Sequence, residues 1–369
     1  MGADYVELES WGAALRSMRA NRPNFAASGA RARTFGAGLE QAEQLWRASE
    51  VVESVASPLL LFYGLTQAGR AVCAAGTPGN SWEGAQRHGL AFRFSPPADG
   101  AHLNLTTVIV SPNGSGLVHQ VANILHSPVL NSSVSLSDLI ASLDSDLLFD
   151  DSQIPHPRPL EVYENGDPGE LFAADARQSL FLGPVPEHFA SNREAIPPGP
   201  HNLAYTRIIS PPGEPIAEWL AAYPTLRALG VPTSVDGPEP SGGRIDSGDW
   251  VIRLAWDGGT RISGLNQSEW TARQLDVVYG DDTNATYGVV LPAVAGNNEA
   301  QDLLICWWLI LYCLSMLARY YPTAWTEMLD VDTSLLAVPL DHLISVARSK
   351  VPTLLYRVLH NLRTAQQTP

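Results

Sequence analysis

Two segments of this chain repeat one polar pattern, Tyr63-x-Leu65-Thr66-x-x-x-Arg70 and Tyr312-x-Leu314-Ser315-x-x-x-Arg319. On a helix, positions three, four and seven apart share a face. Tyr63, Gln67 and Arg70 therefore form one polar stripe, and Tyr312, Ser315 and Arg319 form another. Each stripe lies within an otherwise apolar run, and a guanidinium there needs a carboxylate, a set of carbonyls or an anionic ligand within reach. Two readings follow. Both arginines stand near the C-terminal ends of their helices, where a cation favours the helix dipole and can bond free carbonyls. Alternatively, the two helices pack around a shared anion site for a nucleotide, a phosphate or an RNA backbone.

His88, between Arg87 and Gly89 at a helix-to-strand junction, is the candidate acid/base group, because an imidazole changes charge near neutral pH. Its structural alternative is a turn cap. The remaining histidines show no HxxxH or HxH clustering and the cysteines no metal-ligand spacing, so neither a metal nor a cofactor is expected. Tyr279-Gly280-Asp281-Asp282 has the form of a polymerase turn, but two-metal chemistry needs a further carboxylate on a neighbouring strand, and it reads as a surface turn. Neither a phosphate-binding glycine loop nor a Gly-x-Ser-x-Gly elbow occurs.

A hydrophobic fraction of 45% with 17% charged residues predicts a large core. The formal charge is −15 and Lys350 is the one lysine. An acidic chain lacks the field for extended duplex binding, so phosphate contacts fall to a local arginine cluster. Acidic residues in Met1-Gly2-Ala3-Asp4-Tyr5-Val6-Glu7 speak against a secretory signal and for a cytoplasmic protein, in which the Asn-x-Ser/Thr sequons go unused. Leu303 to Ala318 is apolar over 16 residues, whereas a span needs about 20. It reads as a core helix, with no membrane as partner. Cys73, Cys306 and Cys313 lie in such apolar helices and read as buried thiols.

Periodicity predicts an α+β fold, predominantly helical, with helical N- and C-terminal segments packed together around a β-containing middle. Residues 1–56 form an N-terminal helical segment, with helices over Val6–Ala20 and Gly36–Ser54. Residues 57–130 add a core helix, capped by Ser57 and stopped by Gly76, and a meander of three strands over Leu90–Phe94, Leu103–Val110 and Gly116–Val121. Residues 131–248 form a Pro/Gly-rich middle after a short helix over Leu136–Leu143. A strand is expected over Leu203–Ile209 and a helix over Pro215–Leu229. Residues 249–369 hold strands over Trp250–Trp256 and Tyr287–Leu291, then helices over Glu299–Tyr320, Thr323–Leu329, Leu340–Lys350 and Thr353–Leu362. One composite domain would unite both ends if the two striped helices touch. Gly64, Ala68, Ala71 and Ala75 recur at three- and four-residue spacing and would let another backbone come close.

The chain resembles the YaaC-like family of bacterial proteins. The resemblance is carried by Ser57-Pro58-Leu59-Leu60-Leu61-Phe62-Tyr63-Gly64-Leu65, His88-Gly89-Leu90, Val110-Ser111-Pro112-Asn113-Gly114-Ser115-Gly116-Leu117, Leu309 to Tyr320 with Trp325, and Val351-Pro352-Thr353-Leu354-Leu355-Tyr356. It implies a relationship and no established activity. Phe62 to Ala75 followed by His88 is more weakly similar to the helical HEPN group, whose ribonuclease members place four to six residues between an Arg and a His. Here Arg193 and His201 enclose seven, and Arg357 and His360 two.

The expectation is a cytosolic binding or regulatory component, in a stress or phage-defence system, with an anionic ligand (nucleotide or RNA) or a protein as partner. The alternatives are a HEPN-like ribonuclease or nucleotide-processing enzyme using His88 with Arg70 or Arg319, and a structural homo-oligomer joined through the small-residue face.

Overall fold

Helix α3 runs Ser57–Gly76 because Pro58 presets its first turn, and because one charged residue, Arg70, interrupts twenty positions. The residue before it, Ala56, occupies the cap position. Ser57 lies inside the helix and donates its hydroxyl to Ser49 O at 3.3 Å, so it does not act as the expected N-cap. The far end is closed from outside: Arg31 donates to Ala74 O and Thr77 O and bonds Gly79 O, and Gln366 Nε2 donates to Ala75 O.

The computed structural model describes residues 11–79, 81–83, 86–96, 103–143, 147–149, 153, 159–160, 221–224, 291–294 and 300–366, together with the backbone of strands between 161 and 290. The chain divides into two compact units, one chiefly of Pro157–Ala293 and one chiefly of Val6–His156 with Gln301–Pro369. The described elements make it an α+β protein, mostly helical, with helices at both ends and strands in the middle.

In the larger unit, α1 (Trp11–Ala20) and α2 (Gly29–Glu50) precede α3. Helix α2 begins seven residues before the expected Gly36. Ala32, Phe35, Leu39, Ala42 and Trp46 are all buried at helical spacing, and their face carries the helix back through Gly29. It packs closely on α3. A Cβ on Gly64 would lie 2.5 Å from Trp46 Nε1, and one on Gly38 would lie 2.7 Å from Gln67 O. The small-residue face of α3 thus admits α2 of the same chain.

Strands β1 (Leu90–Phe94), β2 (Val108–Pro112) and β3 (Val134–Ser135) form an antiparallel sheet in that order, with Phe92 opposite Val110 and Val110 opposite Val134. The third strand is not the expected Gly116–Val121. Leu117–Ile124 is helix α4, with Leu117, Val118, Val121 and Ala122 buried. Their i, i+1, i+4, i+5 spacing suits a helix face, and burial against α3 at Gly69 and Gly76 overrides the β-propensity of the valines. Helix α5 (Leu136–Ala141) opens with a Ser135–Asp138 capping box.

The C-terminal part supplies α6 (Leu303–Tyr320), α7 (Pro322–Met328) and α8 (Ala337–Ala365). Helix α6 is capped by Asp302, which accepts from Leu304 N at 2.8 Å. It is apolar enough to cross a membrane by composition, yet 78% of it is buried within the fold. Helix α8 passes through Pro352 unbroken, where two helices were expected. A proline inside a helix forfeits one hydrogen bond, but Val351, Leu354, Leu355 and Val358 continue the apolar face of Leu343, Ile344 and Ala347 across it.

The smaller unit holds one antiparallel sheet of eight strands, five from the Pro/Gly-rich middle and three from beyond residue 248. They are β4 (Leu160–Tyr163), β5 (Ser179–Gly183), β6 (Arg193–Ala195), β7 (Tyr205–Ile208), β8 (Ser241–Arg244), β9 (Trp250–Ala255), β10 (Leu275–Asp276) and β11 (Thr286–Val290). Their order is β10-β11-β4-β5-β9-β8-β7-β6. Strands β7 and β9 lie inside the strand candidates expected at 203–209 and 250–256, and β11 lies within one residue of that expected at 287–291. Ala293 N donates to Ala222 O at 2.8 Å, and Leu160, Tyr223 and Leu291 are buried. Most of the expected helix over Pro215–Leu229, the Tyr279–Asp282 turn and residues 6–10 of the first helix lie outside the described residues.

Candidate functional site

Helices α3 and α6 run antiparallel, since Tyr63 meets Arg319 at one end while Gly69 meets Trp308 at the other. The glycine permits this approach: a Cβ there would fall 2.3 Å from Trp308 Cη2. Arg319 Nη1 donates to the Tyr63 hydroxyl at 3.0 Å, which joins the two polar stripes at that end of the crossing.

His88 enters from the segment leading into β1. Its ring centroid lies 5.1 Å from Phe62 and 6.0 Å from Tyr312, and those two rings are 5.6 Å apart. Three hydrogen bonds hold this segment, the first from Asn113 N to Gly89 O at 3.0 Å. Tyr312 Oη donates to Leu90 O at 3.2 Å, and Leu117 N donates to Arg87 O at 2.8 Å. Gly89 has φ 82°, the left-handed region, and a Cβ on it would stand 2.6 Å from His119 Nδ1. The turn after His88 therefore demands glycine on both conformational and steric grounds.

The electrostatics are one-sided. Burial, then the charge of Arg70, then that of Arg319, push the His88 pKa below its ordinary value, so the imidazole is neutral at neutral pH. Among the described residues neither His88 nitrogen makes a hydrogen bond. Burial raises the Tyr312 phenol to about 12, with smaller contributions from Cys313 and Tyr320. Burial also raises Cys73 to about 12 although Arg70 pulls the other way, so this thiol stays protonated.

Arg70 is the unusual member. Among the described residues its buried Nε has no hydrogen-bond partner and no carboxylate pairs with it or with Arg319. Elsewhere the fold compensates such charge: the buried Glu43 carboxylate is met by Arg16, Arg19 and Arg47. Nor does Arg70 cap its helix, since Arg31 and Gln366 hold the carbonyls at the end of α3. Arg319 gives its bond to a phenol rather than to a carbonyl.

The other stripe residues are placed less centrally. Ser315 is buried and donates its hydroxyl to Tyr312 O on its own helix, as Thr66 does to Phe62 O. Gln67 is half-buried. Two features of the site do not show in the sequence pattern of the stripes: His119 behind Gly89, whose buried Nδ1 has no partner among the described residues, and an aromatic rim. There Arg319 lies over Tyr320, guanidinium carbon to ring centroid 5.0 Å, and Tyr321 packs on Phe92 and Phe94 at 6.0 and 5.1 Å. The adjacent Arg319-Tyr320-Tyr321 was the signal available. Among the described residues no three His, Cys, Asp or Glu side chains are grouped to hold a metal ion.

A family model for YaaC-like proteins matches residues 12–167 and 237–359, well over half of the chain. The chain belongs to the YaaC-like family. Both stripes of the YaaC-like site, the His88 segment and the Trp325 and Pro352 regions fall inside the match, while residues 168–236 fall outside it. No curated protein and no solved structure matches the chain. The weaker likeness to HEPN proteins gains no support from these comparisons.

Proposed function

We propose that this YaaC-like protein is a cytoplasmic binding or regulatory component that receives a phosphate-bearing anion between α3 and α6, with Arg70 and Arg319 as its cationic contacts. The observation carrying this reading is the Arg70 guanidinium. It is partly buried, its Nε has no partner, and helix capping does not account for it. Burying a charge without compensation costs several kcal/mol or less depending on exposure, and an anionic ligand offsets that cost. A place in stress or phage defence belongs to the same proposal. Titration of the full chain with pyrophosphate tests it. Binding should weaken at least about tenfold in Arg70→Ala and Arg319→Ala, with circular dichroism unchanged. Equal affinity in wild type and both variants would count against the site.

A second reading is favoured by His88. A neutral imidazole without a hydrogen bond among the described residues, within reach of the charges of Arg70 and Arg319, can accept a proton while the guanidiniums stabilise charge developing on a phosphoryl group. This supports a nucleotide-processing or RNA-cleaving enzyme. Turnover of a nucleotide or RNA substrate that vanishes in His88→Gln, with binding retained, would establish it over simple binding.

A further inference from the structure

The phosphate contacts do not stand alone. Arg319 touches two exposed aromatic rings: its Nη1 bonds the Tyr63 hydroxyl, and its guanidinium lies over the Tyr320 ring. Tyr63 is 37% exposed and Tyr320 is 55% exposed, although most large apolar side chains of this unit are fully buried. Tyr321 and Phe92 continue the aromatic surface behind Tyr320. A cation layered on a tyrosine, with a second cation, Arg70, whose charge reaches the same His88, is an arrangement that can receive a flat ring joined to a phosphate.

Building on the proposed anion site, we infer that Tyr320, stacked on Arg319, is a platform for a nucleobase, so that the ligand is a nucleoside phosphate. Its phosphate meets Arg70 and Arg319 and its base lies on the exposed Tyr320 ring, with the Tyr63 edge beside it. Stacking is tolerant of base identity because every base presents a π face. A free nucleotide and a nucleotide within single-stranded RNA share this chemistry. A duplex does not, since its bases are paired and stacked inside the helix. The net charge of −15 also disfavours long polyanions away from these two arginines.

The test compares three probes on the full chain by intrinsic fluorescence or calorimetry: tripolyphosphate, ATP and a short oligoadenylate. ATP or the oligoadenylate should bind about tenfold or more tightly than tripolyphosphate. Tyr320→Ala should erase most of that advantage, whereas Tyr320→Phe, which keeps the ring, should retain it. A preference for ATP would identify a free nucleotide and one for the oligoadenylate a single strand; either supports the platform. If tripolyphosphate binds as well as both, the platform is overturned while the phosphate site stands. If none of the three binds, the anion-site reading itself fails. Because Tyr320 is at the surface, a fold defect in Tyr320→Ala is not expected, and the phenylalanine variant separates any such defect from loss of stacking.

Discussion

The Arg319 guanidinium donates to the Tyr63 hydroxyl at 3.0 Å, joining the arginine of one polar stripe to the tyrosine of the other across 256 positions of sequence. The bond is solvent-exposed, so its net worth is about 0.5–1 kcal/mol. A double-mutant cycle with Tyr63→Phe and Arg319→Ala should return a coupling of that size in urea unfolding. The coupling for pyrophosphate binding should be larger, since Tyr63 also fixes the direction of the guanidinium.

Arg70 should show opposite effects on stability and binding. Replacing it with Met removes an Nε that is buried without a partner, so the free energy of unfolding should stay level or rise by up to about 1 kcal/mol. Pyrophosphate affinity should fall at least about tenfold. A large loss of stability instead would mean that Arg70 has a structural partner.

His88 has a folded pKa below its ordinary 6.5. As pH falls through 6.5 the unfolded chain takes up a proton that the folded chain refuses, so stability declines from there down to the folded pKa. His119 and His360 are shifted the same way and share this window. The measurement is therefore the difference between wild type and His88→Gln, whose unfolding energy should depend less on pH below 6.5. A bound phosphate should raise the His88 pKa and bring proton uptake on binding, visible as tighter binding at pH 6 than at pH 8.

Asp302 is pushed up to about 6 by burial, against the pull of its bonds from Leu304 and Ile305. A folded carboxyl above its unfolded pKa of 3.8 contributes stability at low pH that is lost as pH rises through about 6. Asparagine keeps the oxygen that accepts from Leu304 N. Asp302→Asn should therefore stabilise the protein at pH 7.5 by on the order of 1–3 kcal/mol, with the gain shrinking toward pH 4, as read by thermal unfolding.

Gly69→Ala should destabilise by about 1–3 kcal/mol, because the new methyl group meets the fully buried Trp308 ring and overpacks the crossing of α3 and α6. Displaced helices would also misalign the stripes, so pyrophosphate binding should weaken even where the variant remains folded.

The sequence by itself determined the striped helices. Period, Pro58 and Gly76 place α3, and an apolar run places α6, because burial of one helix face is written locally, although α6 starts at Leu303 behind its Asp302 cap and not at the expected Glu299. The Tyr63, Arg70, Tyr312 and Arg319 positions were readable for the same reason. It also placed β1 by its alternation and offered β7, β9 and β11 as strand candidates. Only tertiary structure decided that Leu117–Ile124 is a helix and that α8 continues through Pro352, since in both cases burial against distant residues outweighs a local preference. Only tertiary structure likewise assigned the carbonyls of α3 to Arg31 and Gln366, which left Arg70 without that role. Which donor reaches a given acceptor depends on elements far apart in the chain, and no local pattern encodes it.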